Sequence, residues 1–320
     1  VDYGDRSGCV YRVEQGRNRF GRERRKMKKA CNFGDLPPEF SREGSSKVEI
    51  IPVPYEATVT YRGGTGKGPG AIIEASRYLE LYDEELDEQP YKIGIYTASE
   101  MKDLPQEPEA AIDKIYHRIK HSLSSDKFLI ILGGEHSITV GAVRAFAERY
   151  PALSVLQLDA HADLRNSYEG SPYNHACVMR RVGECCSFVA LGVRSLSKEE
   201  ADYIQDKSLK VVSAWDLMRG KDWKKLILDY LSDEVYLTVD LDVLDPSIMP
   251  AVGTPEPGGL GWYEILRVLR YLAENKKVVG MDVVELSPLG ENIAPDFLTA
   301  RLIYKMIGYA GKSYGWLERR

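Results

Sequence analysis

No stretch of this sequence approaches the ~18 consecutive apolar residues that a membrane span requires. The longest obvious run is Phe128 to Leu132, so neither a transmembrane helix nor a secretory hydrophobic region is expected, and a soluble cytoplasmic protein is. Cysteine is sparse. The five present, Cys9, Cys31, Cys177, Cys185 and Cys186, lack the paired spacing of a disulfide framework or zinc site, which fits a reducing compartment. Excess positive charge is lacking too: 43 Lys+Arg face 48 Asp+Glu, a net charge of −5. The basic residues also concentrate at one end. Residues 1–26 hold eight basic and four acidic groups, a local +4 that leaves −9 on the rest. Such a body is not expected to bind nucleic acid or an anionic membrane, and it favours cationic ligands such as metals and amines.

The first 26 residues are rich in Arg and Gly, show no apolar periodicity and end in Arg24-Arg25-Lys26 before Met27. A nucleic-acid or localisation tract is one reading; a non-native or disordered leader ahead of a natural start at Met27 is the preferred one.

From Lys47 onward, short β-rich runs alternate with amphipathic helical stretches. Strands are expected at 48–53, 128–132, 153–158, 188–191, 235–242 and 277–284. Helices are expected at 70–86, 110–123, 137–150, 198–205, 223–231, 263–275 and 295–308. The alternation predicts an α/β fold, one domain whose mainly parallel central sheet is flanked by helices on both faces. Ligands of such sheets collect at the carboxyl ends of the strands.

Three of those ends carry chemistry. Leu153 to Leu158 runs into Asp159-Ala-His-Ala-Asp163, Val235 to Val239 into Asp240-Leu-Asp242, and Phe128 to Leu132 into Gly133-Gly-Glu-His136. Residues two apart on an extended segment project to one side, so Asp159 with His161, and Asp240 with Asp242, can each reach a common point; Asp163 follows one step on. Four carboxylates converging in a half-buried site need cations to stay ionised. Two imidazoles and four aspartates exceed one tetrahedral zinc and suit two divalent ions, manganese being the natural choice. Alone, one Asp-x-His-x-Asp reads equally as a capped turn or a surface ion pair; the three strand ends together favour metal.

Gly-Gly-Glu-His-Ser (133–137), Asp-Ala-His-Ala-Asp (159–163), Asp-Leu-Asp-Val-Leu-Asp-Pro (240–246) and Met-Asp-Val-Val-Glu-Leu-Ser-Pro (281–288) resemble the signatures of the ureohydrolases, the arginase and agmatinase family. The resemblance runs in order from about residue 32 to the C-terminus, so 27–320 is expected to be one catalytic domain. It implies an arginase-type three-layer fold, two Mn2+ per subunit, and hydrolysis of a guanidino group to urea and an amine by a hydroxide between the ions. Carried over, His136, Asp159, Asp163 and Asp240 resemble the ligands of one ion. Asp159, His161, Asp240 and Asp242 resemble those of the other, with Asp159 and Asp240 bridging.

The same resemblance gives His175 the part of proton shuttle and Glu285 that of holding the guanidinium, with Thr254 lining its pocket. Trimers or hexamers are the family's usual assemblies, so a homo-oligomer is expected. The segment His175-Ala-Cys-Val-Met-Arg-Arg181, the run Thr254-Pro-Glu-Pro-Gly-Gly259 and Asn32-Phe-Gly-Asp-Leu-Pro-Pro38 look like agmatinase, whereas Asp242-Val243 resembles arginase. The expected substrate is therefore a small cationic guanidino compound, agmatine first, giving putrescine and urea. Its distal amine would meet carboxylate or aromatic groups, for which Tyr168, Glu169 and Glu256 are candidates. Aminopropylagmatine, arginine and guanidinobutyrate are the alternatives, and an inactive regulatory relative is disfavoured because no ligand is missing.

Other features carry blander readings. His117 and His121, four apart on a helix, lack a glutamate after the first histidine and read as a solvated face. Cys177 reads as a packing residue. Gly63 to Gly68 superficially resembles a phosphate loop but has Tyr61 and Gly68 where that motif needs Gly and Ser or Thr.

Overall fold

Phe128, Leu129, Ile130, Ile131 and Leu132 are all buried, and successive side chains enter opposite cores. Phe128, Ile130 and Leu132 pack on one side, Leu129 and Ile131 on the other, as a strand covered on both faces demands. Each such side chain contributes roughly 1.5–3 kcal/mol of burial. The computed structural model describes residues 32–318; the expected leader at 1–26, Cys9 and Cys31 lie outside the described residues.

The strands in chain order are β1 (Val48–Val53), β2 (Ile95–Thr97), β3 (Phe128–Gly133), β4 (Ser154–Leu158), β5 (Ser187–Val193), β6 (Lys210–Ser213), β7 (Glu234–Asp240) and β8 (Lys277–Val284). They form one sheet in the order β2-β1-β3-β8-β7-β4-β5-β6, every pairing parallel. The chain crosses from β3 to β4, then returns late to insert β7 and β8 between them. Four adjacent central strands, β3, β8, β7 and β4, therefore open at their carboxyl ends onto one place.

The helices are α1 (Gly68–Ser76), α2 (Pro108–Ser122), α3 (Ile138–Arg149), α4 (Val178–Cys185), α5 (Lys198–Lys207), α6 (Ala214–Met218), α7 (Trp223–Tyr230), α8 (Trp262–Asn275) and α9 (Ala294–Ser313). α1, α7, α8 and α9 cover one face with the core of Phe128 and Ile130; α2, α3, α4 and α5 cover the other. In α8 the buried residues are Ile265, Leu266, Val268, Leu269, Leu272 and Ala273, a single stripe at helical spacing. The expected single α/β domain with helices on both faces is what forms.

Three local differences have physical causes. The helix expected over 70–86 ends at Ser76, because the segment after it turns inward. There Asp83 pairs with Glu88 through backbone hydrogen bonds, and its carboxylate accepts from Lys305 of α9 at 2.9 Å. A buried ion pair across the fold outweighs the apolar spacing of Leu79 and Tyr82. β2 and β6, edge strands of three and four residues, and the five-residue α6 were not expected, being too brief to show periodicity, and the eight-residue α4 was not expected either. The strand expected to continue through Asp242 stops at Asp240.

Candidate metal centre

The polar strand ends are not extended continuations of their strands. β4 ends at Leu158, and Asp159 to Asp163 form a loop in which the His161 N–H donates to Asp159 Oδ1 at 2.6 Å and the Ala160 N–H to Asp242 Oδ1 at 3.0 Å. Asp163 is left-handed, with φ 52°; its carbonyl accepts the N–H groups of Met179 and Arg180 in the first turn of α4. Asp240 closes β7, and Asp242 sits in a 3₁₀ turn whose N–H donates to Asp240 Oδ1 at 2.9 Å. Glu285 follows β8, also left-handed at φ 69°, its N–H donating to the Gly134 carbonyl at 2.8 Å. Gly134 has no alternative: a Cβ there would lie 2.0 Å from the Tyr55 carbonyl oxygen, just past the paired ends of β1 and β3.

These turns bring the side chains together. His136 Nδ1 lies 3.1 Å from Asp159 Oδ2, 3.1 Å from Asp163 Oδ2 and 3.3 Å from Asp240 Oδ2. His161 Nδ1 lies 2.8 Å from Asp242 Oδ2 and 3.8 Å from Asp159 Oδ1. Two overlapping groups suited to a cation result, His136 with Asp159 and Asp240, and Asp159 with His161 and Asp242. Asp159 belongs to both. His136 Nδ1 is buried and has no hydrogen-bond partner although three carboxylate oxygens surround it. Around His136 a ring nitrogen and convergent oxygens without hydrogen bonds among them are what a cation between them requires; His161 Nδ1 and Asp242 Oδ2 share a hydrogen bond at 2.8 Å that a cation would replace, so the residues fit divalent metal.

The electrostatics agree. Burial, then the Asp163 and Asp242 carboxylates, push Asp159 up to about 7. Burial, then Asp242 and Asp159, raise Asp240 well above the ordinary range. For Asp242 burial acts upward, but the His161 imidazole and the Ala160 N–H overcome it and hold the group at about 2. Burial disfavours a charged His161, yet Asp242 and Asp159 raise it to about 11. Glu285 is pushed up to about 8 by burial, then by the Glu135 carboxylate. Protons forced onto buried carboxylates mark surplus negative charge, which divalent cations would compensate.

A second layer of side chains, none of them assigned a role from the sequence, holds these groups. His136 Nε2 lies 2.9 Å from Thr238 Oγ1, whose hydroxyl donates to buried Asp282 at 2.6 Å; Tyr236 and Thr139 also donate to Asp282. Such partners fix the ring and raise its basicity. Gln157 donates to Asp159 Oδ2 at 2.7 Å. Arg194 donates to the carbonyls of Asp242 and Glu256, each at 2.7 Å, and of Pro257 at 3.0 Å, clamping the loop of Thr254 to the turn of Asp242. Glu200 caps α5 through Ser197 and accepts the Leu164 N–H, anchoring the chain beside Asp163. The available signal was a polar residue inside an apolar strand, as at Gln157, Thr238 and Asp282.

A cavity of about 350 Å³ opens over the cluster, and His175, Thr254, Tyr168, Glu256 and Glu285 all line it. Glu256 Oε1 lies 4.0 Å from His161 Nε2, nearer the cluster than an outer contact would be. Glu169 does not line the cavity. It sits exposed at φ 47° on a turn closed by Tyr168 and Ser171, next in the chain to the cavity-lining Tyr168. His117 and His121 are exposed on α2. Cys177 is buried, and burial raises its thiol to about 11, leaving it a packing group. The amides of Gly64 and Gly66 donate to the Glu56 carboxylate, so that loop already holds an anion of its own.

A parallel α/β sheet emptying its central strands toward a buried His and carboxylate cluster fits a metal-dependent hydrolase. The arginase family model matches residues 46–308, and the chain belongs to the arginase family. It is 43% identical over 274 residues to the N(1)-aminopropylagmatine ureohydrolase of Synechocystis sp., covering 83% of this chain and 90% of that protein. It is 35% identical over 266 residues to the agmatinase of Pyrococcus horikoshii, covering 82% and 92%. The crystal structure of the agmatine ureohydrolase of Thermoplasma volcanium superposes with a TM-score of 0.77 at 33% identity, covering 88% of this chain and 96% of that one.

Proposed function

We propose that this chain hydrolyses the guanidino group of N(1)-aminopropylagmatine to urea and the corresponding polyamine, with agmatine as its second substrate. The 43% identity to an enzyme of that name carries the substrate choice, against 35% to an agmatinase. Agmatine, expected first from the sequence, thereby takes second place. In this reading His136, Asp159, Asp163 and Asp240 hold one divalent cation and Asp159, His161, Asp240 and Asp242 a second, manganese suiting the oxygen-rich set. Bound there, two such cations would supply an acidified water and would offset the carboxylate charge around it.

The chain's own groups do the rest. Glu285 meets the planar guanidinium with a carboxylate whose Oε1 is already fixed by the His136 N–H at 2.6 Å, which aims the fork and holds the guanidino carbon over the cluster. Thr254 and Tyr168 wall the cavity, and Glu256 supplies a carboxylate for an amine. His175 carries a proton to the departing amine nitrogen as the C–N bond breaks. Urea release measured with N(1)-aminopropylagmatine, agmatine, arginine and 4-guanidinobutyrate tests the choice: kcat/KM is expected to rank in that order for the first two and to be far lower for the others. A higher kcat/KM for arginine would overturn it.

A further inference from the structure

Resting on the reading of His175 as the proton carrier, we propose that Thr58 and Glu135 are positioning residues that keep the neutral His175 ring in its Nδ1–H tautomer, so that protons enter and leave only at Nε2.

Thr58 Oγ1 has three neighbours: Glu135 Oε1 at 2.7 Å, the His175 backbone N–H at 3.0 Å and His175 Nδ1 at 3.2 Å. A hydroxyl has one hydrogen to give and two lone pairs. Glu135 Oε1 also accepts from the Ser137 hydroxyl at 2.6 Å, and Oε2 accepts the Ala57 and Thr58 N–H groups, each at 2.7 Å. Every contact of that buried carboxyl group is with a donor, so the Thr58 hydrogen belongs to Glu135. Both lone pairs of Thr58 then face His175, and the backbone N–H takes one. Nδ1 must bring its own hydrogen to the other, which leaves the neutral ring's lone pair on Nε2. That nitrogen has no hydrogen bond among the described residues, while the ring lines the cavity.

The arrangement has a structural source. Glu135 stands one residue before His136, just past the paired ends of β1 and β3, where its N–H donates to the Tyr55 carbonyl. One carboxylate thus fixes the 57–58 turn against the strand end that carries His136, and that turn fixes the imidazole. Without it a histidine ring on the short 3₁₀ turn His175–Cys177 would exchange tautomers freely.

The test uses the full-length protein, labelled with ¹⁵N at histidine, with magnesium as a diamagnetic ion, and records two-bond ¹H–¹⁵N correlations; loss of one ring in His175→Asn assigns the signal. The neutral wild-type ring is expected to show the Nδ1–H pattern, Thr58→Val to show the Nε2–H form, and Thr58→Ser to restore the wild-type pattern. In urea release, kcat of Thr58→Val is expected to fall about tenfold or more with KM nearly unchanged, and Thr58→Ser to recover most of it. An Nε2–H pattern in the wild type overturns the proposal, as does wild-type kcat in Thr58→Val. Should Thr58→Val fail to fold, the wild-type tautomer and the Thr58→Ser kinetics decide. Absence of urea release from every substrate would refute the proposed function while the tautomer measurement still tests this one.

Discussion

The backbone N–H of His136 donates to Glu285 Oε1 at 2.6 Å, joining the ends of β3 and β8 across 149 residues of sequence. One residue thereby turns its ring to the carboxylate cluster and its amide to the group proposed to hold the substrate. Glu285→Gln keeps a carbonyl for that amide but loses the charge that pairs with guanidinium. It is expected to retain metal, measured by elemental analysis, and to lose about 10²-fold or more of kcat/KM. Wild-type kinetics would show that Glu285 does not hold the guanidinium.

Asp159 is the residue shared by the two groups suited to a cation. Asp159→Asn removes the charge common to both, so metal content is expected to fall at both positions, whereas Asp242→Asn should spare the position of His136. Equal losses in the two variants would contradict the assignment of Asp159 to both.

Asp282 touches no ion in this account; it fixes Thr238, and through it His136 Nε2. Asp282→Asn is expected to weaken metal affinity by about 10–100-fold, read by metal titration, the size usual for partners of metal-ligating histidines. Unchanged affinity would show that Thr238 is oriented without it.

Arg194 offers a planar fork to the Asp242, Glu256 and Pro257 carbonyls, a geometry that a lysine cannot reproduce. Arg194→Lys is expected to lose about 1.5–3 kcal/mol and to lower Tm by several degrees in thermal denaturation. An unchanged Tm would contradict the clamp.

Asp245 gives a pH signature. The Ser247 hydroxyl and backbone, then the Gly258 and Gly259 N–H groups, hold its carboxyl at about 2, below the ordinary 3.8. A lowered acid contributes stability above the ordinary value and loses it as pH falls toward the lowered one. The Tm gap between wild type and Asp245→Asn is therefore expected near neutrality and should close as pH falls from 3.8 toward 2. A gap that persists through that window would mean that ionised Asp245 does not tie down the 258–259 loop.

The sheet was legible because burial on both faces leaves strands such as Phe128–Gly133 almost wholly apolar, and the cluster because Asp159, His161, Asp240 and Asp242 interrupt such strands at their ends. The same reasoning erred on how those residues converge. It carried the 235–242 strand through Asp242 and took Asp159 to Asp163 as extended chain, where the chain turns: Asp163 and Glu285 take left-handed conformations that cost a non-glycine residue roughly 1–2 kcal/mol. Such strain persists where surrounding bonds fix it, here the Gly134 carbonyl and the first turn of α4. No local pattern announces it. The Glu135–Thr58–His175 chain was illegible for another reason, since its members lie as far as 117 residues apart and meet only when β1 and β3 pair.

The central claim is that the His and carboxylate cluster is a two-cation centre. Anomalous diffraction at the manganese edge from crystals of the manganese-loaded protein tests it most directly. Two peaks are expected, one among His136, Asp159, Asp163 and Asp240 and one among Asp159, His161, Asp240 and Asp242. A single peak, or peaks away from Asp159, would contradict the account.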